Sequence, residues 1–373
     1  MNPSERFVII MAGGRGERFW PVSREKTPKQ LIPLLGDRSL LQQAVQRVLP
    51  LAPLGNILII TNEVQAPQVR KQLPRLPRQN IIAEPVGRDT CAAVTLGAAL
   101  VGARSTTAVM AVLPADHLIG EEKKFQRVLA DAFDLAGRGQ AMITIGIKPT
   151  EPATGYGYIR VGEPLPAPPG AKPLHTAFYR AEQFIEKPQH EQALEYLNSG
   201  HYRWNAGMFI WSFVTLTEGL REHQPEMHEA CQRWFKAAAS PARLRRVLAR
   251  DYPALKKISI DYALMERARN VIVAEGAFSW DDLGSWTALA RHLKADPEGN
   301  CAAADFIHLD GARNIVFDAR TRSRRALIAV VGLRDAILVE TDDATLLAHK
   351  SQAQKVKELV KKLADNPRFK KLV

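Results

Sequence analysis

Apolar residues run unbroken over 7–12, a length that suits a strand buried on both faces. Similar runs recur at 57–61, 81–83, 108–113 and 141–147. Between them the apolar positions change to helical spacing at 40–49, at 125–136 and at 89–101, where an Ala-rich stretch starts near Asp89 or Thr90. Strands alternating with helices predict an α/β fold with a Rossmann-like mixed, mostly parallel sheet covered on both faces.

After Pro149 the pattern changes. Residues 156–161 alternate, and 162–173 are rich in Pro and Gly, which predicts a hairpin with a long exposed loop. Further strands are expected at 181–185, 208–212 and 271–274, with amphipathic helix over 213–250 and a helix over 259–268. A boundary falls near 296–300, dividing the chain into a domain at 1–296 and a small module at 297–373. The module has short β runs at 315–317, 327–331 and 336–339. It closes with a helix that carries Val356, Leu359, Val360 and Leu363 at i, i+3, i+4, i+7 spacing.

The net charge of +12 attracts anions, which include nucleotides and sugar phosphates as well as nucleic acid. It is scattered over 243–250, 320–325 and the Lys-rich tail, with no zinc finger, aromatic RNA-binding stripe or dense basic helix, so no nucleic-acid partner is expected. Three distant cysteines, Cys91, Cys231 and Cys301, argue against a disulfide framework and fit a reducing compartment. No apolar stretch approaches the ~20 residues that span a bilayer, and no signal peptide precedes the first strand. A cytoplasmic protein with no membrane partner is expected.

The candidate chemistry begins directly after the first strand, at Ala12-Gly13-Gly14-Arg15-Gly16-Glu17-Arg18-Phe19-Trp20-Pro21. Glycines let backbone N–H groups approach a phosphate closely, and Arg15 and Arg18 can add charge-assisted bonds. The loop is neither a Walker A nor a dinucleotide fingerprint, since no Gly-Lys-Ser/Thr follows and Phe19 stands at the third glycine position. On glycines alone, a tight turn with no ligand is as good a reading. Pro28-Lys29-Gln30 then adds a compact positive charge in a Pro-flanked segment.

Together these segments, with Val22-Ser23-Arg24, resemble the signature of the nucleoside-diphosphate-sugar pyrophosphorylases, and the Trp-Pro-x-Ser-Arg extension is similar to their mannose-1-phosphate guanylyltransferase branch. The resemblance implies a nucleotidyltransferase fold of GT-A-like type. It also implies transfer of GMP from GTP to mannose 1-phosphate, giving GDP-mannose and pyrophosphate with Mg²⁺ as cofactor, and a homodimer. It places Ala12, Gly13, Gly14, Arg15 and Gly16 on the nucleotide, and Arg18 and Lys29 on the triphosphate as catalytic groups. The family usually has Thr where this chain has Glu17, and a carboxylate beside phosphates is repelled, so Glu17 is expected to point away.

Further segments match in order. Leu113-Pro114-Ala115-Asp116-His117 ends a strand, where ligands of open α/β sheets collect, and Trp280-Asp281-Asp282-Leu283-Gly284 offers a second acid. Two carboxylates suit Mg²⁺, although a loop cap and a helix N-cap are the ordinary roles of isolated aspartates. The resemblance assigns the metal and catalysis to Asp116 and to Asp282 rather than Asp281, while His117 reads as structural. Glu84-Pro85-Val86-Gly87-Arg88-Asp89-Thr90 is similar to the family's guanine loop, implying nucleotide contacts from Glu84, Pro85, Arg88 and Thr90. A carboxylate can accept guanine N1–H and the N2 amine at once, whereas adenine offers no such pair.

Thr154-Gly155-Tyr156-Gly157, Phe184-Ile185-Glu186-Lys187-Pro188 and Trp204-Asn205-Ala206-Gly207 resemble the sugar side. They imply roles for Gly155, Glu186 and Asn205 toward the sugar and for Lys187 toward its phosphate. Residues 259–266 also match, and their apolar face reads as core packing. Residues 329–332 and 340–343 resemble the family's β-helix-like C-terminal module. The same chemistry with another sugar or base, and a sugar-nucleotide-binding regulatory paralogue without turnover, remain the alternatives.

Overall fold

The computed structural model describes residues 2–166 and 174–373. The N-terminal half alternates as the pattern predicts, with α2 and β5 as elements beyond those expected: β1 Arg6–Met11, α1 Leu40–Val48, β2 Ile57–Asn62, α2 Ala66–Gln72, β3 Ile81–Glu84, α3 Asp89–Gly102, β4 Val109–Pro114, β5 Leu118–Ile119, α4 Glu122–Ala136 and β6 Met142–Ile147. Ser39 and Gln42 form a capping box that fixes the start of α1. Helix α3 is buried from Cys91 to Gly102, so its small residues let it lie against β1, where a methyl group on Gly97 would meet Ile9 Cδ1 at 2.7 Å.

The chain continues through β7 Gly157–Pro164, β8 Phe178–Glu186, α5 His190–Ser199, β9 Tyr202–Ser212, α6 Phe213–His223, α7 Pro225–Ala237, α8 Pro241–Asp251, β10 Val271–Gly276, β11 Trp280–Asp281 and α9 Trp286–Ala290. The nine-stranded sheet has the order β3-β2-β1-β4-β9-β6-β10-β8-β7. All its strands but β8 and β9 run in one direction, which makes it the expected mixed sheet. Strand order reverses at β1, which pairs in parallel with both β2 and β4, so a crevice opens beyond the carboxyl ends of these strands. A separate two-residue ladder pairs β5 with β11, Asp281 opposite Leu118.

The expected helix over 213–250 is three helices. Pro225 and Pro241 each sit at a helix start, where the missing N–H costs nothing, and so end the helix before. The expected helix over 259–268 is only a π-type turn, Asp261–Met265. β7 and β8 pair antiparallel as the expected hairpin, but residues 162–164 of the expected loop belong to β7, and residues 167–173 lie outside the described residues. Helix α5 carried no readable apolar stripe because Ala193 is its one buried residue.

From Cys301 onward the strands are β12 Cys301–Ala303, β13 Phe306–Leu309, β14 Ile315–Asp318, β15 Ile328–Val331, β16 Ala336–Glu340 and β17 Thr345–His349, closed by α10 Val356–Asp365. β12, β14 and β16 stack in parallel register, Cys301 on Ile315 on Ile337, and β13 pairs in parallel with β15. This is the β-rich module with its terminal helix. Its core is continuous with the glycine-loop segment: Phe19, Trp20, Leu283 and Trp286 pack in one cluster with Ile315, Ile337, Val356 and Val360. Trp20 Nε1 donates to Leu372 O at 2.8 Å, and Arg24 pairs with Asp343 at 2.7 Å. Among the described residues no helix is long and apolar enough to cross a membrane.

Candidate active site

The crevice holds two chambers that share Gly87, Asp89, Asp116, His117 and Asp282. The inner one, about 510 Å³, is lined by Gly13, Gly14, Glu84, Arg88, Thr90, Gly155, Glu186, Lys187 and Asn205. The outer one, about 780 Å³, is lined by Arg15, Gly16, Arg18 and Lys29. Ala12 and Pro85 line neither. Ala12 is buried, and its carbonyl accepts from Gln30 Nε2 and Thr61 Oγ1, so it anchors the base of the loop.

The loop's shape follows from close approach. Gly16 has φ +60°, and a Cβ there would lie 2.6 Å from Lys29 Cβ and 2.7 Å from Lys29 N. Only glycine fits, and the contact sets Lys29 under the loop. Lys29 is 5% exposed. Its Nζ lies 2.8 Å from Asp116 Oδ2, 2.8 Å from the carbonyl of Asp282 and 3.1 Å from that of Leu283. One buried cation therefore ties both aspartate segments together, and its three donors are directed at protein rather than outward.

Asp116 follows β4, and Ala115 N donates to Met11 O, which keeps it beside the glycine loop. The β5–β11 ladder brings the 280–282 segment across to it. Burial alone would raise the Asp116 carboxyl, but Lys29, with His117, holds it below the usual carboxylate range. Asp282 Oδ1 accepts from Gly284 N at 3.0 Å and from Tyr156 Oη at 3.2 Å. Asp281 is spent elsewhere: it accepts from Leu283 N, Arg291 and His292 and lines neither chamber. Asp116 and Asp282 thus offer hard carboxylate oxygens to one cleft, a donor set that fits Mg²⁺ completed by water and phosphate oxygens. His117 Nδ1 accepts from Trp280 Nε1 at 3.0 Å, and burial lowers its basicity, in keeping with a structural role.

Glu17 does not turn away from the cleft. It lines the outer chamber, where Arg15 lies 3.8 Å from its carboxylate and offsets part of its charge. Glu84, at the end of β3, is 8% exposed and accepts from Tyr252. Its other oxygen faces the glycine loop, 3.2 Å from where a Gly13 Cβ would stand. Burial pushes the Glu84 carboxyl up to about 7, helped by Asp89 and opposed by the Tyr252 hydrogen bond. Arg88 donates to the Pro253 carbonyl, and Thr90 Oγ1 accepts from Ile260 N at 2.8 Å.

On the sugar side, Lys187 and Glu186 pair at 2.6 Å. Asn205 Oδ1 accepts from Gly207 N, at a residue with φ +63°, and its Nδ2 donates to Asp261 at 2.7 Å. Asp261, Tyr156 and Tyr252 were not singled out from the sequence, yet Asp261 and Tyr156 line the inner chamber and Tyr252 bonds Glu84. Lys257, Lys357 and Lys361 line the outer chamber and were likewise missed.

Comparison with known proteins agrees with the fold. Residues 7–298 match the family model for nucleotidyl transferases, and residues 305–363 match that of the MannoseP isomerase/GMP-like beta-helix domain. The chain is 36% identical over 362 residues to the xanthan biosynthesis protein XanB of Xanthomonas campestris pv. campestris, covering 96% of this chain and 73% of that one. It is 38% identical over 357 residues to a mannose-1-phosphate guanylyltransferase of Salmonella montevideo, covering 95% and 73%. A crystal structure described as mannose-1-phosphate geranyltransferase from Thermus thermophilus superposes with a TM-score of 0.81 at 37% identity, covering 96% and 99%. A glycine loop, two convergent aspartates and a β-helix module are thus accompanied by matches along nearly the whole length, and the chain belongs to the nucleotidyl transferase family, in the group that joins this domain to a mannose-phosphate isomerase/GMP-like β-helix.

Proposed function

We propose that the protein is a mannose-1-phosphate guanylyltransferase, with residues 1–296 as its catalytic domain. The observation that carries this reading is the convergence of Asp116 and Asp282 on one cleft between a glycine loop and the Glu84 pocket. A phosphate oxygen of mannose 1-phosphate attacks the α-phosphorus of GTP. The new P–O bond forms as the bond to the β-phosphate oxygen breaks, and pyrophosphate leaves. Both reactants are anions, so the protein's work is positioning and charge neutralisation.

Gly13 and Gly14 admit the phosphates close to backbone, and Arg15 and Arg18 bind them. Lys29 holds Asp116 and the Asp282 segment in register. Asp116 and Asp282 would hold a Mg²⁺ ion, which would supply charge neutralisation for the reacting phosphates. Glu84 accepts from guanine, with Arg88 beside it. Lys187 binds the sugar phosphate, and Glu186 and Asn205 orient the sugar. The test is pyrophosphate release with Mg²⁺ across four nucleoside triphosphates and several sugar 1-phosphates. GTP with mannose 1-phosphate is expected to give the highest kcat/KM, and a clear preference for another pair refutes the assignment.

Glu84 yields two expected results. Glu84→Gln narrows the preference for GTP over ATP by roughly 10- to 100-fold, because an amide cannot accept both guanine donors. An unaltered ratio removes Glu84 from base recognition. In the parent protein, the affinity for GTP improves as pH rises through about 7, since the neutral carboxyl accepts only poorly, and this dependence disappears in Glu84→Gln. Folding responds in the opposite sense. The folded protein keeps a proton between about pH 4.5 and 7 that the unfolded chain has released, so the stability contributed by Glu84 is full at low pH and lost as pH rises through that window.

A further inference from the structure

The outer chamber is walled on one side by the C-terminal helix. Lys357 and Lys361 stand four residues apart on α10, so they share a face. The neighbouring Val356 and Val360 are buried in the cluster that contains Phe19, Trp20 and Trp286. Trp20 and Arg24 both donate to the carbonyl of Leu372, which pins the tail beyond α10 against the same segment. The two lysines are therefore held at the rim of the cleft by packing, although they lie in a separate module more than three hundred residues after the glycine loop.

Charge balance gives them a purpose. Arg15, Arg18, Lys29, Lys257, Lys357 and Lys361 face the chamber together with four carboxylates, those of Glu17, Asp89, Asp116 and Asp282. Without the two α10 lysines, acids and cations are equal in number. Lys29 is already committed to Asp116, and Arg15 lies beside Glu17. Arg15 and Arg18 would then meet a polyphosphate from a chamber whose side chains carry no net positive charge. The α10 lysines supply its whole surplus of positive charge, and among the described residues neither makes a side-chain ion pair or hydrogen bond.

We infer that Lys357 and Lys361 form a polyphosphate subsite that binds the β- and γ-phosphates of the nucleoside triphosphate and, in the reverse reaction, pyrophosphate. The C-terminal module thereby becomes part of the active site. The choice of nucleoside triphosphate rests on the function proposed above, but the anion site itself can be tested without it.

The experiment compares three full-length proteins: the parent, the double variant Lys357→Gln/Lys361→Gln, and a control double variant Lys355→Gln/Lys362→Gln. The control removes the same charge from the same region at residues that line neither chamber. Glutamine keeps helix propensity close to that of lysine, so the fold is retained. Calorimetric titration with magnesium pyrophosphate is expected to show about 10- to 100-fold weaker binding in the first variant. Less than about a twofold change is expected in the control, where the charge lost is exposed and lines neither chamber. Lys357→Arg/Lys361→Arg restores most of the affinity. In steady state the KM for the nucleoside triphosphate rises while that for the sugar 1-phosphate stays put. Pyrophosphate affinity unchanged in the first variant, an equal loss in the control, or a parent protein that binds no pyrophosphate overturns the inference. A parent that binds pyrophosphate but turns over no sugar phosphate refutes the proposed reaction, and the titration still decides the subsite.

Discussion

Lys29→Met is expected to reduce turnover by at least ~10³-fold and to destabilise the fold at the same time, because one ammonium serves both. Lys29 Nζ lies 2.8 Å from Asp116 Oδ2, and it also bonds the carbonyls of Asp282 and Leu283. Methionine fills much of its volume but leaves Asp116 without a counter-charge and two carbonyls without a donor. Breaking a buried pair from one side typically costs ~3–5 kcal/mol. The lower end applies here, because Asp116 is 35% exposed and solvent screens it. Denaturant unfolding should therefore report a shifted midpoint, and pre-steady-state assays on the folded fraction should report the lost chemistry. Normal turnover by the folded fraction would show that Lys29 is structural alone. Normal stability would show that the aspartate segments hold themselves in place.

The Asp116 carboxylate carries its own pH signature. Its folded-state value is depressed, so its contribution to stability is present above the ordinary carboxylate range and is lost as pH falls through the depressed value. Lys29→Met removes the cation that opposes burial there, and acid unfolding of the variant should begin at higher pH.

What could be read from the chain depended on whether the information was local. The glycine loop was legible because strand, turn and arginines are consecutive, and the alternating half of the sheet was legible because each run there is uniformly apolar. β9 extends back to Tyr202, but Arg203, Asn205 and Gly207 interrupt its apolar pattern, so only its last residues could be recognised. Helix breaks at Pro225 and Pro241 were overlooked because the apolar spacing continues across them. Lys29 was legible as a motif residue, yet its partners were not, since Asp116 comes from the end of β4 and Asp282 and Leu283 from the other end of the catalytic unit. The segment holding Asp261 read as core packing, which is true of Ala263, Leu264 and Met265 but not of the aspartate, whose carboxylate meets Asn205 at the cleft. The last helix could be found from its valine and leucine spacing. Nothing in that spacing says which wall of which chamber its polar face completes, because the answer depends on how the β-helix stacks against Phe19 and Trp20.

The neighbouring pair Asp281 and Asp282 should separate chemistry from folding most cleanly. Asp282→Asn keeps an oxygen that can accept from Gly284 N and Tyr156 Oη, the two bonds the carboxylate makes now, so the loop geometry is preserved. What it loses is the negative charge facing the cleft. Metal-supported turnover is expected to fall by at least ~10³-fold while the melting temperature changes little. Asp281→Asn should do the reverse. Its carboxylate is 5% exposed and receives Arg291 at 2.9 Å together with His292 and Leu283 N. Neutralising it leaves a guanidinium with only Glu151, at 2.7 Å, for a counter-charge. A loss of roughly 1–3 kcal/mol is expected, with turnover per folded molecule close to normal. Measuring kcat against Mg²⁺ concentration alongside thermal unfolding for the two variants decides between the residues. Near-normal Mg²⁺-dependent turnover in Asp282→Asn would remove that carboxylate from the metal site. A collapse of turnover in a fully folded Asp281→Asn would move the role one position back along the chain.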